Sequence, residues 1–308
     1  MARPHLILPV GTQIVSRIEI RDSKGTVLCP EGAVGVVVKA PADGTHSYRV
    51  RLPDGTEIPL QRNNLTIRKH QQRQDLAAIT AIGVEDDELF ERVIYRCVVG
   101  SRAYGLDQEA SDLDVRGIYL PLADLHWSLY GVPEQIERKE TDEAYWEIQK
   151  FLSMALKANP NVLECLYTPL IELCRPPADE LVAERSRFLS KMIYQTYNGY
   201  VLSQFKKLEQ DLRTAGEIRW KHAMHLIRLQ LAGITALSEG RVPVRVDGEY
   251  RERLLAIKRG EVPWAEIEAW RLDLHERFDA AFASTRLPER PDYRWANDFL
   301  IRARRSAL

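Results

Sequence analysis

The sequence predicts an α/β (α+β) protein in which a small all-β module precedes a mixed sheet and a helical C-terminal region. Three observations carry this. Short alternating or β-branched runs with glycine-rich turns fill residues 11–68, two strand-like runs flank a Gly-Ser pair near residue 100, and helical apolar recurrence dominates beyond Pro176-Pro177. With 308 residues, 45% apolar and 28% charged, the chain can bury a sizeable core, which excludes the disordered and fibrous classes.

The first module rests on residues 34–39 (VGVVVK), which are β-branched, and on residues 47–52, where Tyr48, Val50 and Leu52 alternate with Arg49 and Arg51. Pro53-Asp54-Gly55 supplies a turn into residues 56–60. Glu31 onward, followed by VRLPDG, resembles the SH3-like barrels of the KOW type. Residues 69–77 (KHQQRQDLA) carry no periodicity and read as a linker, which places a first domain at 1–74. Arg49, Arg51, Arg62, Arg68, Lys69 and Arg73 give that module a basic surface of the kind that contacts nucleic acid.

A second domain is expected at 75–176. The acidic stretch 86–91 can open a helix, residues 93–99 (VIYRCVV) read as a buried strand ending at Gly100, and residues 113–120 as a second strand. From residue 146 to 158 apolar side chains recur at helical spacing until Asn159-Pro160 stops them. A third region, 177–308, is expected to be helical and to pack on the cleft of the second. Its recurrences lie at 181–212, 217–238 and 262–282, with Gly240 and Gly260 as stops.

The net charge of −1 conceals an asymmetry of +4 over residues 1–75, −9 over 76–176 and +4 over 177–308. An acidic centre between basic flanks points to cations or polyanions. Cys29, Cys97, Cys165 and Cys174 are too widely spaced for a zinc site or a disulfide framework and read as reduced, mostly buried thiols. The N-terminus lacks a signal-peptide core, and no uncharged apolar run approaches the ~20 residues needed to span a bilayer, so a cytoplasmic protein without a membrane partner is expected.

The chemistry lies in residues 99–121, VGSRAYGLDQEASDLDVRGIYLP. Two carboxylates at Asp112 and Asp114 would share a strand face and repel each other unless a cation neutralises them. Mg²⁺ suits such a pair, being oxygen-seeking and commonly held by carboxylates together with substrate phosphates. Glycine at 100 lets the backbone approach a phosphate, and the Ser101 hydroxyl can bind its oxygens.

Gly100-Ser101, nine residues, then Ser111-Asp112-x-Asp114 resembles the nucleotidyltransferase signature of the DNA polymerase beta superfamily. Tyr104-Gly105, Arg116-Gly117 and the downstream Asp142, Glu147, Lys150-Phe151 and Asn159-Pro160-Asn161-Val162-Leu163-Glu164 make it similar to the RNA-repair-pathway polymerase-beta-like family. The resemblance implies a polymerase-beta-like mixed sheet, Asp112, Asp114 and Asp142 as catalytic residues and ligands of Mg²⁺ (or Mn²⁺), and Gly100, Ser101 and Ser111 at the nucleotide. Glu140 is the alternative third carboxylate. Arg116 reads either as a phosphate contact or as an ion pair with one of the carboxylates. Lys221, His225 and Arg228 share a helix stripe that can face the triphosphate.

The implied reaction is metal-dependent transfer of NMP from an NTP to an acceptor hydroxyl, an RNA (tRNA) end foremost. A protein acceptor in an AMPylator-like toxin–antitoxin or defence setting is the alternative enzyme. A non-catalytic NTP or RNA sensor is the alternative from another class.

Overall fold

A computed structural model describes residues 7–41, 43, 46–69, 71, 86–107 and 112–308. The chain divides into two compact units, Met1–Gly83 and Val84–Leu308. Most of the linker expected at 69–77 lies outside the described residues.

The first unit contains β1 (Gln13–Ser16), β2 (Ile20–Arg21), β3 (Val27–Cys29), β4 (Val34–Lys39), β5 (Tyr48–Arg51), β6 (Glu57–Leu60) and β7 (Leu65–Ile67). Strands β6-β5-β4-β1-β7 form one antiparallel sheet, and β2-β3 form a separate hairpin. The expected alternation is present. Tyr48 and Val50 are buried, while Arg49 and Arg51 face outward, Arg51 on Glu57. The turn at 53–55 closes as its chemistry requires, with Gly55 at φ +88 and the Asp54 carboxylate accepting from the Thr56 amide. A single 3-10 turn, Arg62–Asn64, leads into β7.

The second unit opens with α1 (Asp86–Glu91), β8 (Val93–Val99), α2 (Gly100–Tyr104), β9 (Asp114–Tyr119), α3 (Ala123–Trp127), β10 (Gln135–Arg138), β11 (Glu143–Glu147), α4 (Ile148–Ala155), α5 (Pro160–Tyr167) and β12 (Ile171–Cys174). It continues with α6 (Ala178–Ala183), α7 (Met192–Ala215), α8 (Trp220–Glu239), α9 (Gly248–Lys258), α10 (Trp264–Ser284) and α11 (Tyr293–Arg305). The sheet runs β10-β11-β9-β8-β12, and it is mixed because β9 and β11 are parallel while the other pairs are antiparallel. Mid-sheet, Gly117 is obligatory, since a Cβ there would lie 1.9 Å from the Tyr95 carbonyl oxygen.

One sheet face carries a small core of Leu89, Val93, Val115, Tyr119, Ile136 and Tyr145. The other is continuous with the helices. Ile118, Phe151 and Leu163 belong to the same core as Tyr197, Ile227 and Phe278, so the sheet and the helical region bury each other. The free thiols of Cys29, Cys97 and Cys165 are buried and that of Cys174 is exposed.

Several boundaries differ from the expected ones. The helix expected from residue 146 begins at Ile148, because Trp146 and Glu147 pair with Ile118 and Tyr119 of β9 and the Glu147 carboxylate then caps α4 by accepting from the Gln149 amide. Asn159-Pro160 both ends one helix and starts another. The Asn159 side chain accepts from the Asn161 amide and Pro160 occupies the first turn of α5. The stretch 181–212 is interrupted by a 3-10 turn at Arg185–Phe188 before α7. Helix α8 ends at Gly240, φ +68, as expected. Helix α9 does not follow from the sequence pattern. The buried residues of α9, Leu254, Leu255 and Ile257, form no regular stripe, whereas α11 buries Ala296, Phe299 and Ala303 at helical spacing with Arg304 beside them.

Candidate active site

Strand β8 delivers Val99 opposite Asp114, the first residue of β9. Immediately after Val99 the backbone turns at Gly100, φ +70, into the short helix α2. A Cβ at residue 100 would stand 2.2 Å from the Oδ2 of Asp114. Glycine therefore does two things: it adopts a left-handed conformation and it lets the turn lie directly on a carboxylate. Gly100→Ala is expected to cost about 1–3 kcal/mol in stability from backbone strain and to displace Asp114. Urea unfolding checks the first effect, and loss of NTP binding at unchanged secondary structure checks the second.

Asp142 approaches from the neighbouring strand. It ends the turn before β11 in a left-handed conformation, φ 49, which aspartate tolerates better than most residues. Its carbonyl oxygen accepts from the Val115 amide at 3.1 Å and from Arg116 Nη1 at 2.7 Å, which locks it to β9. Arg116 Nη2 donates to Asp142 Oδ1 at 3.1 Å and stands 3.9 Å from Asp114 Oδ1. In this geometry Arg116 is the ion-pair partner of the two carboxylates.

Burial pushes the Asp114 carboxyl above its usual range, and the Asp142 carboxylate within hydrogen-bonding reach pushes it further, while Arg116 and then Lys221 act in the opposite direction. Two mutually repelling carboxylates, only partly neutralised, are a donor set that fits a hard divalent cation. Among the described residues, no group of three or more His, Cys, Asp and Glu side chains is arranged to hold a metal ion.

The remaining expected residues fall as follows. Asp112 is exposed and lies just ahead of β9, whose first residue is the half-buried Asp114. Ser111 lies outside the described residues. Ser101 is half-buried on α2, where its carbonyl oxygen accepts from the Leu106 amide. Glu140 is exposed in the turn that ends at Asp142.

On α8 the cationic stripe divides by depth. Lys221 is exposed within the field of Asp114. His225 is largely buried, and burial with Arg228 and Lys221 nearby lowers its pKa to about 3, so it is neutral. Arg228 is buried and ion-paired at 2.8 Å with Glu164 of α5. Only Lys221 of the three offers a free charge toward the carboxylates.

Residues 61–302 match the RNA repair pathway DNA polymerase beta family. The chain belongs to that family. Nucleotidyltransferases of the polymerase-beta-like kind generally use divalent metals and NTPs. Among curated proteins, the chain is 34% identical over 83 residues to the uncharacterized protein YcgL of Bacillus subtilis (strain 168), an alignment covering 26% of this chain and 32% of YcgL. The chain thus spans about a third of that relative's length. No described helix is long and apolar enough to cross a membrane.

Sequence reasoning missed the support beneath the family's Gly-Ser turn. Tyr104, at the end of α2, donates its hydroxyl to Glu164 at 2.6 Å, and the Arg228 guanidinium lies 3.6 Å from its ring centre. From α9, Arg251 donates to the Gly105 carbonyl and Lys258 to the Leu106 carbonyl, both at 2.8 Å. Nothing local marks these contacts, because the partners stand between 60 and 152 positions apart. The one available signal was Glu164 itself, an acidic residue at an apolar position of α5.

Proposed function

We propose that the protein transfers NMP from an NTP to an acceptor hydroxyl on an RNA end, tRNA ends included, releasing pyrophosphate. The observation that carries this reading is the seating of the Gly100 backbone on the Asp114 carboxylate, with the Asp142 carboxylate brought beside it from the parallel strand. Asp112, Asp114 and Asp142 would hold Mg²⁺ or Mn²⁺. Such ions, when bound, neutralise charge on the leaving pyrophosphate and lower the pKa of the attacking hydroxyl.

The bond from the acceptor oxygen to the α-phosphorus forms as the α–β phosphoanhydride bond breaks, and the acceptor proton is released. Gly100 and Ser101 position the phosphates, with Ser111 beside them, and Lys221 attracts the triphosphate. Arg116 orients Asp142 and holds it against β9, so the chain contributes chiefly position and electrostatics.

In the proposed organisation residues 1–74 are an SH3-like accessory barrel, 75–176 the catalytic part and 177–308 the helical part that packs on it. The strand order of the first unit and its 3-10 turn before the last strand support the barrel. Its exposed Arg49 and Arg51 support an RNA-contacting role.

The decisive experiment incubates the protein with each labelled NTP and Mg²⁺ alongside tRNA, mixed short RNAs, DNA or cell protein. Label entering RNA is the expected result. Label on protein would replace the RNA acceptor by a protein one, and metal-dependent NTP binding without transfer to any acceptor would refute the enzyme.

A further inference from the structure

A cavity of about 610 Å³ lies between α2, the start of α5 and the α7–α8 pair. Its walls include Tyr104, Asn161, Gly199, Tyr200, Ser203 and His225. Pockets of this size commonly hold small ligands by an apolar and aromatic lining with a few polar groups.

Gly199 is the unexpected member. It sits in the interior of α7, where glycine costs about 1 kcal/mol relative to alanine. Other glycines of this unit have a reason within the protein. A Cβ on Gly233 of α8 would meet Phe278 at 2.7 Å, and Gly117 and Gly100 are constrained as described. A Cβ on Gly199 would meet no atom within 4 Å, and its backbone needs no left-handed angle. The protein itself does not require this glycine, and the space it leaves belongs to the cavity.

The second observation is Arg228. It lines the cavity but is 94% buried, and its Nε, without a hydrogen-bond partner among the described residues, is sealed from solvent rather than open to the cavity. Its charge is met by Glu164. His225 is neutral, as shown above. The cavity therefore offers polar donors and acceptors and two aromatic rings without a free positive charge, which suits an uncharged heterocycle rather than a phosphate. Lys221 stands one helical turn before His225 on α8, toward Asp114. A nucleotide could thus span the short distance with its phosphates at Lys221 and its ring in the cavity, since one turn is about 5.4 Å.

We infer that the cavity receives a nucleobase, and that Gly199 is bare in order to admit it. The assignment rests on the nucleotidyl-transfer reading and specifies its substrate contact. The base has two sources, the incoming NTP or the terminal nucleotide of the RNA acceptor.

Saturation-transfer NMR on the full chain with adenosine, guanosine, cytidine and uridine tests it without any contribution from phosphate or metal. At least one nucleoside is expected to bind the wild type, and Gly199→Ala, which returns a Cβ to the cavity wall, is expected to weaken that binding measurably. Gly199→Trp is expected to weaken that binding at least 10-fold. Ser203→Trp, at an exposed position on the same wall, should do the same and serves if the first variant fails to fold by circular dichroism. Displacement of the nucleoside by NTP assigns the pocket to the incoming nucleotide, and displacement by a short RNA assigns it to the acceptor.

Failure of all four nucleosides to bind, or equal binding by a folded tryptophan variant, overturns the inference even if transfer is observed. Gly199-dependent binding in a protein that transfers nothing would uphold the pocket while refuting the enzyme.

Discussion

Asp114→Asn is expected to lower nucleotidyl transfer by roughly three orders of magnitude while raising the melting temperature of the metal-free protein. The first effect follows from removing a preorganised charge at the point where charge develops, a loss usually worth about 10²–10³ in kcat. The second follows from the burial of the Asp114 carboxyl and then from its like-charge contact with Asp142. A carboxyl whose folded-state pKa is raised binds its proton more tightly folded than unfolded, so the metal-free protein loses stability as pH rises from the ordinary carboxylate range through the raised pKa of Asp114. Asp114→Asn and Asp142→Asn should each flatten that decline. Mg²⁺ should raise the melting temperature of the wild type more than that of either variant. Scanning calorimetry at several pH values with and without Mg²⁺, run beside single-turnover assays, checks all three. Equal pH dependence in wild type and variants would show that the two carboxylates do not interact.

The largest stability effect is expected at the buried pair beneath the turn. Glu164→Gln and Arg228→Met each leave an ion buried without its partner, at a cost of about 3–5 kcal/mol. In a unit of this size that corresponds to a fall in melting temperature of about 10 °C. The double variant Glu164→Leu/Arg228→Met should recover most of the loss, since desolvating two charges offsets much of what their attraction returns. Recovery of stability should not restore function, because Tyr104 then lacks the carboxylate that receives its hydroxyl and α2 loses its anchor. The expected signature is a raised KM for NTP with kcat changed less, read from steady-state kinetics on the double variant. A double variant with wild-type KM would show that the anchor is unimportant.

The sheet and the turn were legible because their determinants are local. A nearly continuous apolar run marked β8, period-two alternation marked β5, Pro53-Asp54-Gly55 marked a turn, and Gly100 followed by a carboxylate at a set spacing marked the site. Legibility ended where burial, rather than spacing, decides. Lys221, His225 and Arg228 have one spacing and three fates, because depth within the core sets whether a cation stays charged, becomes neutral or is paired. Asp112 and Asp114 looked equivalent by alternation, yet the first is exposed ahead of the strand and the second is its half-buried first residue. Helix α11 carries a regular apolar stripe at Ala296, Phe299 and Ala303, but the burial of Arg304 beside it is explained only by the distant Glu147.

That last pair has a consequence for dissection of the protein. Among the buried carboxylates on the sheet side, Glu143 pairs with Arg96 of the sheet itself, but Glu147 and Glu164 find their cations in the helical region, at Arg304 and Arg228. The Ala123 amide likewise donates to the Ala307 carbonyl. A recombinant fragment ending near residue 176 would carry every carboxylate proposed for catalysis and still leave two buried acids without counter-ions. The motif can be excised from the chain, but the folded centre cannot. A search for a minimal transferase should therefore shorten the N-terminal unit and keep the chain through Ala307.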